Sequence, residues 1–243
     1  MNAVIDIGNT FAKIGWFEQN ELLEVQRKIP VETLLTVLNE NRPTQAIFSS
    51  TSHQTQPFAQ ALTQQGCQTF ELTAQLPVPL KKDYETPQTL GPDRVAAAVG
   101  AMVMFPNEHC LIIDMGTCVT YDWLSADAVF GGGIISPGLR MRFQAMHSFT
   151  KKLPLVEADG FPMLVGKNTQ QAMQSGAVNG LLAEAAGIIA RYHAEMGNCK
   201  VLLCGGDAPF FESRLKKPIF AVPNLVLIGL NRILQYNVSS QKV

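Results

Sequence analysis

A short motif that occurs twice constrains the fold of this 243-residue chain more than any other feature. Residues 4–10 read Val-Ile-Asp-Ile-Gly-Asn-Thr, and residues 112–117 read Ile-Ile-Asp-Met-Gly-Thr. In each copy an apolar strand runs into an aspartate, Asp6 or Asp114, and then into a glycine turn that carries a hydroxyl residue. Repeated units of this kind are typical of duplicated architectures. We therefore predict two similar domains, residues 1–107 and 108–243, that each contribute one turn to a shared cleft.

The residues of the first turn favour a phosphate ligand. Gly8 permits positive φ and close approach of a ligand to the backbone. Consecutive turn N–H groups and the Thr10 hydroxyl form a concave donor surface for phosphate. Asp6 lies beside that surface and suits a hydrated cation, while Lys13 offers a point charge to a transferred phosphoryl group. A plain β-hairpin turn explains the first copy equally well, and the second copy favours the functional interpretation.

The order of predicted elements is similar in the two halves. Apolar periodicity and turn residues predict strands at 2–7, 11–18, 21–28, 45–49, 69–72, 110–115, 119–124, 128–135, 200–204 and 219–222. They predict helices on the stripe from Val31 to Leu38, at 57–65, after Gly91, from Pro137 to about His147, at 170–195 and from Asn224 to Tyr236. Two long connections, 73–91 and 148–168, separate these elements and are typical of functional loops.

Charge and cysteine content exclude several classes of protein. The net charge is -1, with 19 basic and 20 acidic residues. The sequence contains no block of basic residues, so nothing in it indicates binding to nucleic acid or to an anionic membrane. The five cysteines lack C-x-x-C spacing and the four histidines are scattered, so we expect buried free thiols rather than a zinc site. Because no signal peptide and no membrane-spanning run are found, we expect a cytoplasmic protein.

Seven motifs, taken in order along nearly the whole chain, are similar to those of type III pantothenate kinases. They are Asp6-Ile-Gly-Asn-Thr-Phe-Ala-Lys13, Gly91-Pro-Asp-Arg94, Asp114-Met-Gly-Thr117, Gly132-Gly-Ile-Ile-Ser-Pro-Gly138, Thr150-Lys-Lys-Leu-Pro154, Gly166-Lys-Asn-Thr169 and Gly205-Gly-Asp207. Each motif is weak alone, and the ordered set is specific. P-loop and dinucleotide-binding fingerprints are absent from the sequence. The family belongs to the superfamily of acetate and sugar kinases, heat-shock chaperones and actin.

This resemblance implies an α/β fold with two ribonuclease-H-like domains and an ATP cleft between them. It implies transfer of the γ-phosphoryl group of ATP to pantothenate, the first step of coenzyme A biosynthesis. By matching position, the ATP-binding residues are Asp6, Ile7, Gly8, Asn9, Thr10, Phe11, Ala12, Lys13 and Thr117, and the third glycine turn, Gly205–Asp207, lies against the adenosine. The pantothenate-binding residues are Tyr84, Gly91, Pro92, Asp93, Arg94 and Thr169, and Asp93 is the catalytic base. Asp114 binds a monovalent cation, K⁺ or NH₄⁺, and Mg²⁺ accompanies ATP.

The residues themselves leave alternatives open. Asp93 suits a general base but also a helix N-cap, which the sequence alone favours. Arg94 can fork onto a carboxylate or lie solvated in the first helical turn, where the helix dipole disfavours a cation. Tyr84 could be a loop residue packed on the surface. The glycine run 131–133 could form a bulge or allow close approach of a ligand.

The helix predicted at 170–195 carries more apolar residues than a single surface stripe needs. Gly176, Gly180, Ala183 and Gly187 recur near one face, so a second backbone could approach closely. The family resemblance implies a homodimer in which Thr169 completes the partner's pocket, and burial between the two domains is the alternative. Thr169 itself could instead cap the helix.

Two rival functions use the same fold. A chaperone-like or regulatory ATP clamp is compatible with it, because fold alone does not decide function. An acid and a cation at Asp93 and Arg94 favour a small acceptor over that reading. A kinase with a sugar or a carboxylate acceptor is the other alternative.

Overall fold

The computed structural model describes residues 1–8, 11–216 and 218–240. The chain divides into two compact units. The first comprises Met1–Asn107, Leu124–Gly132 and Asn224–Val243, and the second comprises Glu108–Trp123 and Gly133–Pro223. Within the described residues, no helix combines the length and the apolar character needed to cross a membrane.

The first unit is built on a five-stranded sheet that has helices on both faces. In chain order its strands are β1 (Asn2–Ile7), β2 (Phe11–Glu18), β3 (Glu21–Pro30), β4 (Gln45–Ser50) and β5 (Gln68–Glu71), and the spatial order is β3-β2-β1-β4-β5. The central strand β1 is antiparallel to β2 and parallel to β4. Alternation along β1 sends Ile5 and Ile7 to one face and Val4 to the other.

Different helices cover the two faces of this sheet. The Ile5 face packs against α1 (Leu34–Asn41) and α2 (Gln56–Gln64) through Leu34, Leu38 and Leu62. The Val4 face packs against α3 (Pro92–Met104) and α7 (Leu225–Ser240), the last helix of the chain. Both faces are therefore dry, and the polar side chains of β1 lie near its two ends, Asn2 at the start and Asp6 close to the carboxyl end.

The second sheet has the strand order β11-β10-β7-β8-β9-β6. Its members are β6 (Lys81–Lys82), β7 (Cys110–Met115), β8 (Cys118–Leu124), β9 (Val129–Pro137), β10 (Lys200–Cys204) and β11 (Phe220–Ala221). Strand β10 is parallel to β7 and to β11. Helices α4 (Leu139–Ser148), α5 (Thr169–Met196) and α6 (Ala208–Phe211) belong to the second unit, in which Leu181 and Phe143 pack with Ile113 and Tyr121.

The predicted fold class and nearly all predicted elements are confirmed. The predicted strand ends differ from the observed ends by two residues at most, and β6 is the one strand of the described residues that was not predicted. This two-residue strand lies inside the predicted 73–91 connection, where it pairs Lys81 and Lys82 with Val129 and Phe130.

The placement of the last helix differs from the predicted domain boundary. We assigned residues 108–243 to the second domain, whereas α7 and residues 124–132 belong to the first unit. The physical reason is close packing of two helices through glycine. A Cβ on Gly229 of α7 would lie 1.7 Å from the Ala96 carbonyl oxygen of α3, and a Cβ on Gly100 would lie 2.3 Å from that of Leu225. The predicted boundary after residue 107 coincides with the end of the first segment of the first unit.

Candidate active site

The first glycine turn joins β1 to β2. Gly8 N–H donates to the Phe11 carbonyl oxygen at 3.1 Å, which closes the turn. Asp6 and Lys13 are direct neighbours in the antiparallel register, so their side chains share one face of the sheet. Ile7 and Ala12 are each 1% exposed and belong to the core, so these two predicted ATP-binding residues offer only backbone groups. Asn9 and Thr10, also predicted to bind ATP, lie outside the described residues.

The second turn, between β7 and β8, is also closed by a hydrogen bond from its glycine N–H, but it is one residue shorter. Gly116 N–H donates to the Cys118 carbonyl oxygen at 3.0 Å, and the Thr117 side chain is exposed. Gly138, which precedes α4, donates its N–H to the Thr117 carbonyl oxygen at 3.1 Å. A Cβ on Gly138 would lie 2.4 Å from that oxygen. The second turn is thus packed against the start of α4. Because the two backbone segments approach so closely, residue 138 has no room for a side chain and must be glycine.

The third turn, Gly205–Asp207, lies directly against the second. Gly205 has φ +94°, and a Cβ there would lie 2.4 Å from the Met115 carbonyl oxygen. Asp207 N–H donates to the same oxygen at 2.9 Å. The Cys204 thiol donates to Asp114 Oδ2 at 3.4 Å. Burial raises the pKa of the Asp207 carboxyl group. Asp207 also lines a cavity of about 170 Å³ with residues of α4 and of the segment 155–158.

The carboxylate of Asp93 is placed by the start of α3. Gly91 is the N-cap residue, Pro92 begins the helix, and Val95 N–H donates to the Gly91 carbonyl oxygen at 3.2 Å. Asp93 Oδ1 accepts a hydrogen bond from Arg94 N–H at 2.9 Å. A Cβ on Gly91 would lie 2.5 Å from that oxygen, so only glycine accommodates this carboxylate position. Asp93 is therefore not the N-cap, although it satisfies one first-turn N–H.

Arg94 is buried rather than solvated. Its side chain is 6% exposed. The guanidinium carbon lies 5.9 Å from the centroid of the Tyr84 ring and 5.6 Å from that of the Phe130 ring, within cation–π range of both. The alternative of a solvated first-turn cation is therefore wrong. Contact with two aromatic rings holds the guanidinium in a fixed orientation.

Tyr84 reaches this place because its loop is tied to β9. Asp83 N–H donates to the Phe130 carbonyl oxygen at 2.9 Å, next to the β6–β9 pairing. Tyr84 is half-buried, and its ring centroid lies 6.1 Å from that of Phe130. Gly132 has φ +83°, and a Cβ there would lie 3.7 Å from the Tyr84 ring. Sequence reasoning missed Phe130, for which the only signal was an aromatic residue beside a glycine run.

Gly132 and Gly133, two residues of the glycine run 131–133, have different structural roles. Gly132 needs its positive φ and faces Tyr84, whereas a Cβ on Gly133 would lie 2.1 Å from the Tyr121 carbonyl oxygen. Internal packing therefore explains Gly133 without a ligand.

Thr169 is the first residue of α5, and it does not cap that helix. The N-cap is Asn168, whose Oδ1 accepts from Gln171 N–H at 2.9 Å. Gln171 Oε1 accepts from Lys167 N–H at 2.8 Å in return, which differs from a capping box in that the N–H belongs to the residue before the N-cap. The exposed side chain of Thr169 is not needed for capping. Thr169 lies in the second unit, whereas Tyr84 and the 91–94 residues lie in the first.

These features agree with comparisons to known proteins. The family model of type III pantothenate kinase matches residues 3–191. A type III pantothenate kinase of Cytophaga hutchinsonii is 45% identical over 98% of this chain and 100% of its own length. One of Phocaeicola vulgatus is 41% identical over 98% of this chain and 99% of its own length.

Solved structures agree on the fold. The activator of the 2-hydroxyisocaproyl-CoA dehydratase from Clostridium difficile, with bound ADPNP, has a TM-score of 0.55 at 11% identity and covers 100% of this chain and 97% of its own. At that identity the likeness concerns the fold, which is that of the actin-like ATPases. The family match and the full-length relatives establish the classification: this chain belongs to the type III pantothenate kinase family.

Proposed function

We propose that this chain transfers the γ-phosphoryl group of ATP to the primary hydroxyl of pantothenate, which gives 4'-phosphopantothenate and begins coenzyme A biosynthesis. The observation that carries the proposal is the start of α3, where Gly91 permits the position of the Asp93 carboxylate next to the buried Arg94. An acid and a cation side by side suit an acceptor that has a hydroxyl to deprotonate and a carboxylate to bind. Membership of the family supports the same assignment.

Asp93 is the general base of this proposal. Phosphoryl transfer passes through a loose transition state, so an enzyme contributes mainly positioning and charge stabilisation. The Arg94 N–H bond holds Asp93 Oδ1 at 2.9 Å, and Oδ2 is the oxygen that we assign to the substrate proton. A base held at a helix start needs no reorganisation as the new P–O bond forms.

Arg94 and Tyr84 form the acceptor pocket with Gly91 and Pro92. The Arg94 guanidinium binds the pantothenate carboxylate, and its burial strengthens that charge-assisted contact because competing water is excluded. The Tyr84 ring packs on the guanidinium and fixes its plane. Thr169 adds a hydroxyl from a second copy of the chain.

The first and second turns bind the phosphates of ATP. Backbone groups of residues 6–13 and the exposed Thr117 serve as donors, and Lys13 supplies positive charge. Asp6 fits hydrated magnesium, because it is a carboxylate at a strand end beside the glycine turn. Magnesium supplies neutralisation of the charge on the phosphate oxygens when it is bound with ATP. That the two turns serve one ATP molecule stays a prediction.

Asp114 holds the monovalent cation of this proposal. Its Oδ1 lies 3.2 Å from the position that a Cβ on Gly116 would take, so glycine lets the turn backbone lie close to the carboxylate. A carboxylate among turn carbonyl groups suits K⁺ or NH₄⁺. The cation removes the repulsion between Asp114 and the nucleotide.

We also propose that the protein is a cytoplasmic homodimer. Four residues of α5, Gly176, Gly180, Ala183 and Gly187, are exposed along one side of the helix, which favours a second chain over burial within one chain. The segment before α5 exposes Phe149, Met163 and Leu164 by 89%, 84% and 79%. Apolar exposure of this size marks an interaction surface. All five cysteines are free thiols, which fits a reducing compartment.

An ADP-release assay over a panel of acceptors tests the proposed reaction. We expect release that depends on pantothenate, with 4'-phosphopantothenate identified by mass spectrometry. Sugars and simple carboxylates serve as matched acceptors. ADP release that is independent of every acceptor would instead support the ATP clamp, and release that depends on another acceptor would reassign the substrate.

A further inference from the structure

Ser49, which follows the apolar run of β4, stands out in the first unit. It is 1% exposed, and its hydroxyl has no hydrogen-bond partner among residues 1–8, 11–216 and 218–240. The adjacent Ser50 differs, because its Oγ accepts from His53 N–H at 2.9 Å. A buried hydroxyl that lacks a partner is costly to keep and calls for an explanation, such as a group that is present only with a ligand.

The register of the sheet places Ser49 beside Asp6. Strands β1 and β4 are parallel, and Asp6 is paired with Ser49 as Val4 is with Ile47. Val4 and Ile47 belong to the same core cluster, so two residues further along, Asp6 and Ser49 face the same side. Lys13 is the partner of Asp6 on β2. Asp6 thus lies between an ammonium on one neighbouring strand and a hydroxyl on the other.

The second copy of the motif shows what this position does. Strands β7 and β10 are parallel, as β1 and β4 are, and Asp114 is paired with Cys204. Cys204 therefore corresponds to Ser49 in the first copy. Its thiol donates to Asp114 Oδ2 at 3.4 Å. In the second copy the neighbouring strand supplies a thiol that donates to Asp114. In the first copy it supplies the Ser49 hydroxyl, which is a stronger donor than a thiol but has no partner in the described part of the chain.

We propose that Ser49 is a positioning residue for Asp6. When Mg–ATP occupies the first turn, the Ser49 hydroxyl donates to the Asp6 carboxylate, directly or through one bound water. This bond holds the carboxylate toward the hydrated magnesium. The inference rests on the proposed role of Asp6 in binding Mg–ATP.

Ser49→Ala tests the proposal, with Thr55→Ala as the matched control. Thr55 is 2% exposed, and its hydroxyl likewise has no partner in the described part of the chain. It lies at the start of α2 and has no proposed role in catalysis. For Ser49→Ala we expect kcat/KM for Mg–ATP to fall about tenfold, the size of a lost hydrogen bond to a charged group. The Mg²⁺ concentration for half-maximal rate should rise, while KM for pantothenate stays unchanged.

Direct binding provides a readout besides turnover. Mg–ATP should raise the melting temperature of Ser49→Ala less than that of wild type or Thr55→Ala. Without ligand, the Ser49→Ala protein should be as stable as wild type or more stable, because a buried hydroxyl without a partner is removed. Ser49→Cys, which keeps a weaker donor at similar volume, should be intermediate.

The outcomes separate this inference from the proposed function. Wild type without pantothenate kinase activity would contradict the function, and an Asp6→Asn variant with normal Mg–ATP parameters would contradict the role of Asp6. If wild type is active and Asp6→Asn is impaired while Ser49→Ala binds and uses Mg–ATP normally, Ser49 has no positioning role. Failure of both Ser49 variants to fold would show a purely structural role and overturn the proposal.

Discussion

The two copies of the aspartate–glycine motif are both closed by a glycine N–H bond, but they differ in turn length and in the side chains around the aspartate. One backbone hydrogen bond closes each turn. Gly8 N–H donates to the Phe11 carbonyl oxygen at 3.1 Å, and Gly116 N–H donates to the Cys118 carbonyl oxygen at 3.0 Å. Counted back from Trp16 and Trp123, however, Lys13 of the first copy corresponds to Thr120 of the second. One copy has its own cation beside the aspartate and the other has a neutral hydroxyl. The comparison indicates that the two copies keep an aspartate followed by a glycine turn, whereas the charge beside the aspartate differs.

Asp93 lies outside both copies, and its removal should have the largest effect. If the two turns only position phosphate, Asp93→Asn should bind ATP normally and lose about 10²–10⁴-fold in kcat, as removal of a general base does. Asp127→Asn, at an exposed position of the same unit, is the control and should be fully active. Steady-state kinetics with ATP and pantothenate measure both. A near-normal kcat for Asp93→Asn would show that Asp93 is not the general base.

Because the second copy has Thr120 where the first has Lys13, we expect the enzyme to require a monovalent cation from solution. At constant ionic strength, replacement of K⁺ by Tris should lower turnover severalfold, because Asp114 would then repel the nucleotide. Thr120→Lys supplies the ammonium that Lys13 supplies in the first copy, so its rate should depend less on K⁺. Thr120→Met is the control of similar length. Equal rates of wild type in K⁺, Na⁺ and Tris would contradict the role of Asp114.

Thr169 and Asn168 separate ligand binding from helix capping at the start of α5. Thr169→Ala should raise KM for pantothenate and leave the free energy of unfolding unchanged, because Asn168 forms the cap. Asn168→Ala should cost about 1 kcal/mol of stability with KM unchanged. Steady-state kinetics measures KM for pantothenate, and urea unfolding measures the free energy of unfolding, for both variants.

Mixing Thr169→Ala with inactive Asp93→Asn tests the dimer. Hybrid dimers would have one intact pocket, so activity should recover on mixing. Light scattering that finds an active monomer at micromolar concentration would rule out a pocket completed by the partner.

The sequence predicted local structure better than long-range assignment. Strands such as β1 and β7 were predicted with correct ends, because each is an apolar run that stops at an aspartate and a glycine. Strand β6 is two lysines with no apolar signal, and its pairing with β9 depends on a contact between distant segments. The unit to which α7 belongs was not predictable from its pattern, because the complementary surface at Gly100 is far away in sequence.

The same limit applies to the candidate site. Gly91–Arg94 was identified because its residues are adjacent along the chain. The aromatic partner Phe130 was missed, since only the folded β6–β9 pairing brings it to Arg94. Capping by Thr169 was one of two alternatives for that residue, and the cap is instead the preceding Asn168; Asn and Thr are both good caps, so the sequence does not distinguish them.

The smallest expected effect concerns a side-chain network at the second copy, which the described residues of the first copy do not repeat. Tyr121 occupies the position that Ile14 has in the first copy, and its hydroxyl donates to Glu184 Oε1 at 2.9 Å. Arg142 Nη2 donates to Glu184 Oε2 at 2.5 Å, and Arg142 Nε donates to the Pro137 carbonyl oxygen at 2.9 Å. The network therefore ties β8 and α5 to the backbone that leads into Gly138.

The titration of Glu184 provides the test. Burial acts to raise the pKa of Glu184, but hydrogen bonds from Arg142, Ser136 and Tyr121 outweigh it, and the pKa lies below its usual value. A depressed pKa adds stability that is present above the unfolded-state pKa and is lost as pH falls through the folded-state value. Glu184→Gln should therefore be about 0.5–1 kcal/mol less stable than wild type at pH 7, and the difference should shrink below about pH 4. Urea unfolding over pH 3–7 measures it, with Glu195→Gln, from the exposed pair with Arg191, as the control. A difference that is independent of pH would mean that packing, and not the charge of Glu184, joins α5 to the second turn.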